Sequence, residues 1–285
     1  MKRSEKFEDL IQEELDLKNE EKKKRIIRLL VTILLSIFII FIMLRLFSTK
    51  FIKTHEYMIK DNNIPASQVG LKIVHFSDLL YGSTINKNNL KTLKDKINKT
   101  NPDIIVFTGD LIWNKKDLKT KDIIVLKEFL NGLEANIGKY LVYGDYDKGN
   151  YFEIIYDTDF IVLDNTVEEI YYKDSTPIYL VGLSNNAKLN DLDLDNLNKN
   201  YVITLIHNYD KYENKLQSDV ILSGSTLGGE LRLPILGGMV GNSKYMNDYY
   251  FENNSSIYIS NGLGSKIRLR LFNHPSFNVY RLEHK

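Results

Sequence analysis

Five short apolar runs in this chain each end on polar side chains, and this pattern is the feature that most limits the folds open to it. The runs end at Asp78, at Asp110, at Asp145 with Asp147, at His207 and at Ser225. Stretches typical of helices alternate with the runs, which predicts parallel strands of an α/β domain. Ligands of open α/β sheets gather at the carboxyl ends of the strands. We therefore expect these polar residues to surround one site.

The pattern from Val69 onward combines βα units with consecutive strands. Strands alternating with helices are predicted over residues 70–78, 102–110, 138–145, 201–208 and 219–225. The helices are predicted over residues 85–100, 121–135, 193–200 and 211–217. Consecutive strands are predicted over residues 160–165, 167–172 and 177–184, and again over 256–263, 266–272 and 278–283. Such consecutive strands indicate a mixed sheet.

Length and composition narrow the function classes. An α/β chain of 285 residues can form one core, so we expect one globular domain with an appendage. The 38 Lys and Arg residues nearly balance the 37 Asp and Glu residues, which gives no general attraction to nucleic acid. The absence of cysteine excludes disulfides, thiolate metal ligands and a cysteine nucleophile. No P-loop or Gly-x-Gly-x-x-Gly motif occurs, which removes the commonest nucleotide-binding folds.

The appendage is an uninterrupted apolar stretch over residues 29–44. Extended to residues 26–47, it reaches roughly the 20 residues needed to cross a bilayer. A cleaved signal peptide is the competing interpretation, but the 25 residues ahead of the stretch are too long for the basic start of such a peptide. A buried core helix is disfavoured because the stretch has no polar face. We predict one membrane-spanning helix.

Basic residues around this helix predict its orientation. Six precede it (Lys18, Lys22, Lys23, Lys24, Arg25 and Arg28) and four follow it (Arg45, Lys50, Lys53 and Lys60). The excess places residues 1–25, a charged and partly helical arm, in the cytoplasm. Residues 48–68 are then a tether that includes one candidate strand, and residues 69–285 form an extracytoplasmic domain of a single-pass cell-membrane protein.

The runs also carry a family resemblance. The segments SDLLYG, TGDLIWN, YGDYD, IHNYD and SGSTLGGELRLP, followed by YISNGLGSKIRLRLFNHPSFNVYRL, are similar in order and spacing to motifs of the calcineurin-like metallophosphoesterases. The chain looks closest to their bacterial membrane-anchored branch, over about residues 70–282. The resemblance implies an α/β sandwich of two mixed β-sheets flanked by helices. It also implies metal-dependent hydrolysis of phosphate esters.

The resemblance assigns roles to the polar residues that the chain keeps. Asp78 matches the first metal-binding aspartate of the family, and Asp110 matches the carboxylate that bridges two metals. Asp147 keeps the acidic end of the family's Gly-Asn-His-Asp/Glu motif. His207 matches a lone metal-binding histidine. These four positions preserve the family pattern.

Other positions depart from that pattern. Leu80 stands where the histidine of an Asp-x-His pair belongs, and Ser225 and Leu227 replace both histidines of the last motif. Asp145 takes the place of the ligand asparagine, and Tyr146 that of the catalytic histidine. Four of the family's five histidine positions are therefore replaced in this chain.

The replacements bear unequally on the two metals that the resemblance implies. Leu80 and Leu227 both belong to the first metal and offer no lone pair, so we expect that metal to be lost and the two leucines to share its space. The second metal would be held by Asp110, Asp145 and His207, with a weaker contribution from Ser225, whereas Asp78, the other weaker candidate, is a ligand of the first metal. This oxygen-rich set favours Mg²⁺, Mn²⁺ or Ca²⁺ over Zn²⁺.

Loss of one metal weakens the family's mechanism, in which two metals clamp the attacking and leaving oxygens. A phenol such as Tyr146 is a poor proton donor near neutral pH, because phenols ionise near pH 10. We therefore predict a catalytically impaired pseudoenzyme that binds a phosphorylated ligand or a protein. Two alternatives are a single-metal hydrolase of a lipid or envelope phosphate ester and a structural subunit of a membrane complex.

A plainer interpretation of the acidic residues competes with a metal site. An Asp that follows a strand commonly caps a helix or closes a turn, which is the alternative for Asp78 and Asp110. Recurrence at several strand ends argues against it. His75 lies within a predicted strand, and we interpret it as a hydrogen-bonded core histidine.

Overall fold

The computed structural model of the protein describes residues 2–113, 118–147, 151–173, 176–184, 192, 197, 199–212, 216–233 and 235–285. The chain divides into two compact units, residues 1–46 and 47–285. Helix α1 (Lys2–Phe47) makes up nearly all of the first unit. Its segment Ile11–Arg45 is long and apolar enough to cross a membrane. The helix predicted over residues 26–47 is therefore confirmed as a helix, and residues 2–25 continue it.

The second unit contains two six-stranded sheets. The first sheet contains, in spatial order, β1 (Lys53–Lys60), β14 (Ser276–Glu283), β2 (Lys72–Phe76), β3 (Ile104–Phe107), β4 (Gly138–Leu141) and β5 (Phe160–Val162). The second contains β12 (Tyr249–Glu252), β13 (Ser255–Ile259), β9 (Val220–Ser223), β8 (Val202–Ile206), β7 (Ile178–Leu183) and β6 (Thr166–Ile170). Both sheets are mixed. In the first, only β14 and β2 pair antiparallel, whereas in the second the antiparallel pairs are β12 with β13 and β6 with β7.

The core is layered because alternate residues of each strand face opposite ways. Ile73 of β2 and Ile203 of β8 belong to one buried cluster between the sheets. Val74, the next residue of β2, belongs to the cluster on the outer face of the first sheet. Helices α2 (Lys87–Lys99), α3 (Thr120–Asn131) and α4 (Tyr151–Ile155) contribute to that outer cluster. The predicted α/β sandwich flanked by helices is thus confirmed.

The predicted tether contains a strand of the first sheet. Strand β1 pairs in parallel with β14 over its full length, from Lys53 opposite Ser276 to Lys60 opposite Glu283. Ile59 on this strand and Ile64 beyond it are buried in the core between the sheets. Much of the 48–68 segment therefore belongs to the folded unit, because its apolar side chains complete that core.

Another prediction, a strand over residues 266–272, is wrong. The alternation of basic and apolar residues there imitates a strand, but Arg268 and Phe272 have φ values of 56° and 51°, which a strand does not allow. The Arg270 side chain is buried, and its Nη1 donates to the carbonyl of Asn261 at 2.8 Å. This hydrogen bond holds the segment as a loop. The helix predicted over 193–200 lies largely outside the described residues, and that over 211–217 does so in part.

Candidate functional site

Polar residues from both sheets meet where the parallel strands end. Asp78 follows β2, Asp110 follows β3, and His207 directly follows β8. His207 Nδ1 lies 2.6 Å from the carbonyl oxygen of Thr108, just after β3, and this hydrogen bond joins the two sheets. The prediction that the strand ends surround one site therefore holds for these residues.

Asp78, Asp110 and His207 form a buried cluster, called the trio below. One ligand atom from each lies within 4.8 Å of the ligand atoms of the other two. His207 Nε2 is 3.3 Å from Asp110 Oδ2. Two carboxylates and an imidazole so close together can hold a divalent cation, and three protein ligands leave coordination positions open.

Two atoms of the trio show that a cation fits. Asp78 accepts hydrogen bonds at Oδ2, from the Ser77 hydroxyl at 2.5 Å and from the backbone N–H of Ser225 at 2.9 Å. Its other oxygen, Oδ1, is buried without a hydrogen-bond partner among the described residues, and His207 Nε2 is buried there with no hydrogen bond beyond its 3.3 Å ion-pair contact with Asp110 Oδ2. Buried polar atoms without partners are costly, and coordination of a metal would satisfy both. The hydrogen bond from Nδ1 to Thr108 also leaves Nε2 free to be the ligand atom.

The electrostatics of the trio favour a bound positive charge. Burial alone would lower the pKa of His207, but the Asp110 carboxylate and then the Asp78 carboxylate raise it to about 9. Burial raises the pKa of Asp78, and the nearby Asp110 acts in the same direction. In the absence of a metal, the imidazole therefore holds a proton at neutral pH. A cation that binds Nε2 must displace that proton.

Asp147 has a different role from the trio. Its carboxylate accepts hydrogen bonds from the backbone N–H groups of Asp110 at 2.6 Å, Gly144 at 2.8 Å and Leu111 at 2.9 Å. It is buried, and burial, followed by the charge of Asp110, raises its pKa to about 7. Asp147 ties the loop after β4 to the loop after β3. It positions Asp110 and does not point into the trio.

The loop after β3 and the loop after β4 are in close contact at Gly144. A Cβ atom on Gly144 would lie 2.2 Å from Asp110 Oδ1 and 2.3 Å from the Asp110 backbone nitrogen. No side chain fits there without a shift of the loop. Asp110 itself has a φ of 63°, and Asp78 one of 50°, so both carboxylates sit on strained backbone. The fold thus holds these two side chains in one arrangement.

Asp145 does not join the trio, although the sequence predicts it as a ligand with Asp110 and His207. Its side chain is exposed, and Lys211 Nζ lies 2.7 Å from its Oδ1. Partial burial raises the pKa of Asp145, but the Lys211 hydrogen bond and the charges of His207, Lys211 and Lys266 outweigh it and lower the pKa. The third member of the cluster with Asp110 and His207 is Asp78.

The two leucines are buried beside the trio, beneath one turn. A Cβ atom on Gly264 would lie 2.5 Å from Leu80 Cβ, and one on Gly262 would lie 2.6 Å from Leu227 Cδ2. The same position at Gly262 is 3.0 Å from Asp78 Cβ, which brings Leu227 close to the trio. Direct contact between the leucines stays a prediction. Hydrocarbon in these places cannot ligate a metal.

Tyr146 supports the site through its backbone. Its N–H donates to Asp110 Oδ1 at 2.8 Å. Its ring packs against Trp113, with centroids 5.4 Å apart, and Lys266 Nζ lies 5.3 Å from the ring centroid. The Tyr146 side chain thus contacts an aromatic ring and a cation at the edge of the site.

Sequence reasoning missed two cations near the trio, Lys211 and Lys266. Lys211 directly follows the segment IHNYD and Lys266 lies within the last quoted segment, but among 38 Lys and Arg residues no signal marks these two as neighbours of the site. His75, by contrast, is confirmed as a core histidine. Its Nε2 lies 2.8 Å from Thr108 Oγ1, and burial lowers its pKa to about 3.

Comparisons with known proteins agree with this geometry. The sequence model of a family described as calcineurin-like phosphoesterase matches residues 71–255. The uncharacterized metallophosphoesterase YkuE of Bacillus subtilis (strain 168) is 31% identical over 257 residues, which cover 81% of this chain and 86% of that protein. A transmembrane protein with metallophosphoesterase domain from Danio rerio is 24% identical over 234 residues, 74% of this chain and 53% of that protein, so the chain spans about half its length.

A shorter match concerns the UDP-2,3-diacylglucosamine pyrophosphatase LpxG of Chlamydia trachomatis serovar D. It is 38% identical over 82 residues, which are 29% of this chain and 24% of that protein. This match covers too little of either chain to transfer an activity.

Proposed function

This chain belongs to the calcineurin-like phosphoesterase family, and from that premise we propose that it is a membrane-anchored binding module whose phosphoesterase centre is catalytically impaired. One observation supports this proposal above the others. Asp78, Asp110 and His207 converge as the only such metal-binding cluster among the residues the structure describes, whereas Leu80 and Leu227 occupy ligand positions with hydrocarbon. The centre is suited to one cation.

The metal of this centre would be held by the trio. Its two carboxylates and one imidazole favour Mn²⁺, Mg²⁺ or Ca²⁺ over Zn²⁺. When bound, such an ion polarises a phosphoryl oxygen and so anchors a phosphorylated ligand. Asp147 and the Tyr146 N–H hold Asp110 in place for this role. His207 keeps its Nε2 directed at the site through the bond from Nδ1 to Thr108.

Two features of the chain's own residues oppose turnover. Lys211 pairs with Asp145, which removes this carboxylate from the trio. Tyr146 stands where the family has its catalytic histidine, and a phenol donates a proton to a leaving group poorly near neutral pH. Binding is therefore retained and hydrolysis is lost.

A turnover assay tests the proposal. The full chain in detergent or lipid nanodiscs is incubated with Mn²⁺ and either bis(p-nitrophenyl) phosphate or p-nitrophenyl phosphate, with Asp110→Asn as the matched control. We expect product formation no faster than with the control. Release at about 1 s⁻¹ or more, a rate typical of enzymes, would sink the proposal.

A second function, hydrolysis by a single metal, has one observation in its favour. Part of the chain is similar to proteins named UDP-2,3-diacylglucosamine pyrophosphatase, which suggests a lipid phosphoanhydride or ester as substrate. The candidate membrane span is compatible with a lipid substrate. Mn²⁺-dependent cleavage of UDP-2,3-diacylglucosamine, absent with Asp110→Asn, would establish this function in place of the first.

The folded unit is further proposed to lie outside the cytoplasm. The excess of basic residues before the apolar segment supports this orientation. Protease added to protoplasts should then remove residues 47–285. Protection of these residues until the cells are lysed would reverse the assignment.

A further inference from the structure

The most exposed apolar side chains of the folded unit lie at the tip of a small hairpin. Strands β10 (Arg232–Leu233) and β11 (Gly237–Gly238) pair antiparallel and form it. Ile235 is fully exposed at the tip, Leu236 is 72% exposed, and Met239 beyond β11 is exposed too. Adjacent large apolar residues in water are unfavourable and indicate an interaction surface.

The backbone at this tip is strained as well. Ile235 has a φ of 76°, in the left-handed region that β-branched residues avoid. Because its side chain is exposed and its backbone conformation is unfavourable, Ile235 does not stabilise the folded core. Strain of this kind is concentrated at functional positions.

The hairpin adjoins a cavity near the candidate site. Its base is held by two backbone bonds, from the N–H of Met239 to the carbonyl of Leu231 at 2.8 Å and from the N–H of Val240 to the carbonyl of Gly229 at 3.1 Å. The cavity, of about 440 Å³, is lined by residues that include Ser225, Leu227, Val240 just after the hairpin, the basic Lys244 and Lys266, and the acidic Asp210 and Glu230. The base of the hairpin therefore borders this cavity.

A second loop extends the apolar surface. The N–H of Arg232 donates to the carbonyl of Leu271 at 2.9 Å, which attaches the hairpin to the loop at residues 266–272. Ile267 and Phe272 of that loop are exposed, and Arg268 is exposed between them. Apolar side chains together with basic ones are typical of surfaces that bind anionic membranes.

Chain connectivity indicates which partner this surface meets. The candidate membrane span ends at Arg45, and β1 begins at Lys53. Even fully extended, the few residues between them reach only roughly 25 Å. This length tethers the folded unit to any bilayer that the span crosses, which makes lipid a partner within reach.

We propose that the tip formed by Ile235, Leu236 and Met239 inserts into the interfacial region of an anionic lipid bilayer. This contact is independent of turnover at the trio. It would hold for a binding module and for a hydrolase alike.

The absence of cysteine allows a direct test. Leu236→Cys carries a single environment-sensitive fluorophore, and the full chain is reconstituted in vesicles of phosphatidylcholine and phosphatidylglycerol with headgroup-proximal doxyl lipids. Tyr156→Cys, at a side chain 75% exposed beyond the end of α4, is the matched control. We expect doxyl lipid to remove about half or more of the emission at position 236 and little at 156.

Two further variants serve as a second label and as a test of the apolar contact. Met239→Cys supplies another label on the same hairpin, in case Leu236→Cys does not fold. With the label at 236, Ile235→Ser should weaken the quenching, because the tip loses apolar area. Equal quenching at positions 236 and 156, or none at 236 and 239, would overturn the proposal. Quenching that depends on the protein-to-lipid ratio would assign the tip to a second copy and also overturn it.

Discussion

The retained and the replaced positions of the candidate site differ in what they do for the fold. Asp147 and Asp110 accept backbone N–H bonds from neighbouring loops, and Asp78 accepts one from Ser225. The replaced positions Leu80 and Leu227 only fill space beneath the turn at residues 262–264. The carboxylates therefore also hold loops together, whereas the two leucines contribute apolar packing. A surviving carboxylate is therefore weaker evidence for catalysis than its motif suggests.

The largest expected effect is a gain of phosphoester hydrolysis when the family's residues are put back at the five replaced positions. The variant combines Leu80→His, Asp145→Asn, Tyr146→His, Ser225→His and Leu227→His. If the retained residues keep their arrangement, hydrolysis of bis(p-nitrophenyl) phosphate with Mn²⁺ should rise on the order of 10²–10⁴-fold, because general acid catalysis and the first metal return. The same variant with Asp110→Asn is the control and should stay inactive. If the variant melts cooperatively but hydrolyses the substrate no faster, then the arrangement of the retained residues Asp78, Asp110 and His207 has changed as well.

Asp145 and Asp147, which are close in sequence, test whether a carboxylate that binds neighbouring loops contributes more to stability than one that does not. Asp147→Ala leaves three buried N–H groups without acceptors and should lower the free energy of unfolding by about 3 kcal/mol or more. Asp145→Ala removes an exposed ion pair with Lys211 and should cost no more than about 1 kcal/mol. Urea unfolding of the full chain in detergent measures both. Equal losses would contradict the distinction.

The pH dependence of stability tests the electrostatics of the trio. The folded pKa of His207 is raised to about 9, so its stabilising contribution is complete below the unfolded pKa of about 6.5 and is lost as the pH rises through 9. With a chelator present to remove metal, the free energy of unfolding should fall by about 3 kcal/mol between about pH 6.5 and pH 9. His207→Gln should flatten this part of the curve. Saturating Mn²⁺ should flatten it too, because a metal-bound imidazole is neutral.

The smallest effect concerns Lys211. Lys211→Met removes a cation beside the site and its ion pair with Asp145, so Mn²⁺ should bind a few-fold more tightly, as followed by the shift in melting temperature. The stability of the metal-free protein should change by less than about 1 kcal/mol. Lys211→Arg keeps the charge and is the control. Unchanged Mn²⁺ affinity in Lys211→Met would show that the lysine does not compete with the cation.

Much of the fold follows from the sequence because its strands are short apolar runs with clear ends. Residues 72–76, 104–107 and 202–206 were predicted within longer segments for this reason. The strand ends also bring Asp78, Asp110 and His207 together, as predicted. This part of the site depends on the backbone topology, which the pattern encodes.

Other parts could not be predicted because they depend on contacts distant in sequence. Asp145 meets Lys211 across 66 positions, and no local pattern signals that pair. The loop at residues 266–272 has the alternation of a strand, but buried Arg270 binds loop carbonyls instead. The pairing of β1 with β14 joins segments from opposite ends of the folded unit. Tertiary contacts outweigh local preference at each of these places.

Metal stoichiometry tests the central claim most directly. The full chain is purified, saturated with Mn²⁺, separated from free ion and measured by inductively coupled plasma mass spectrometry against protein concentration. Asp110→Asn is the matched control, since it removes the carboxylate shared by the trio. We predict about one ion per chain, lost in Asp110→Asn, since one set of ligands converges in the part of the chain that the structure describes. Two ions per chain, both dependent on Asp110, would show an intact two-metal centre and contradict a catalytically impaired site.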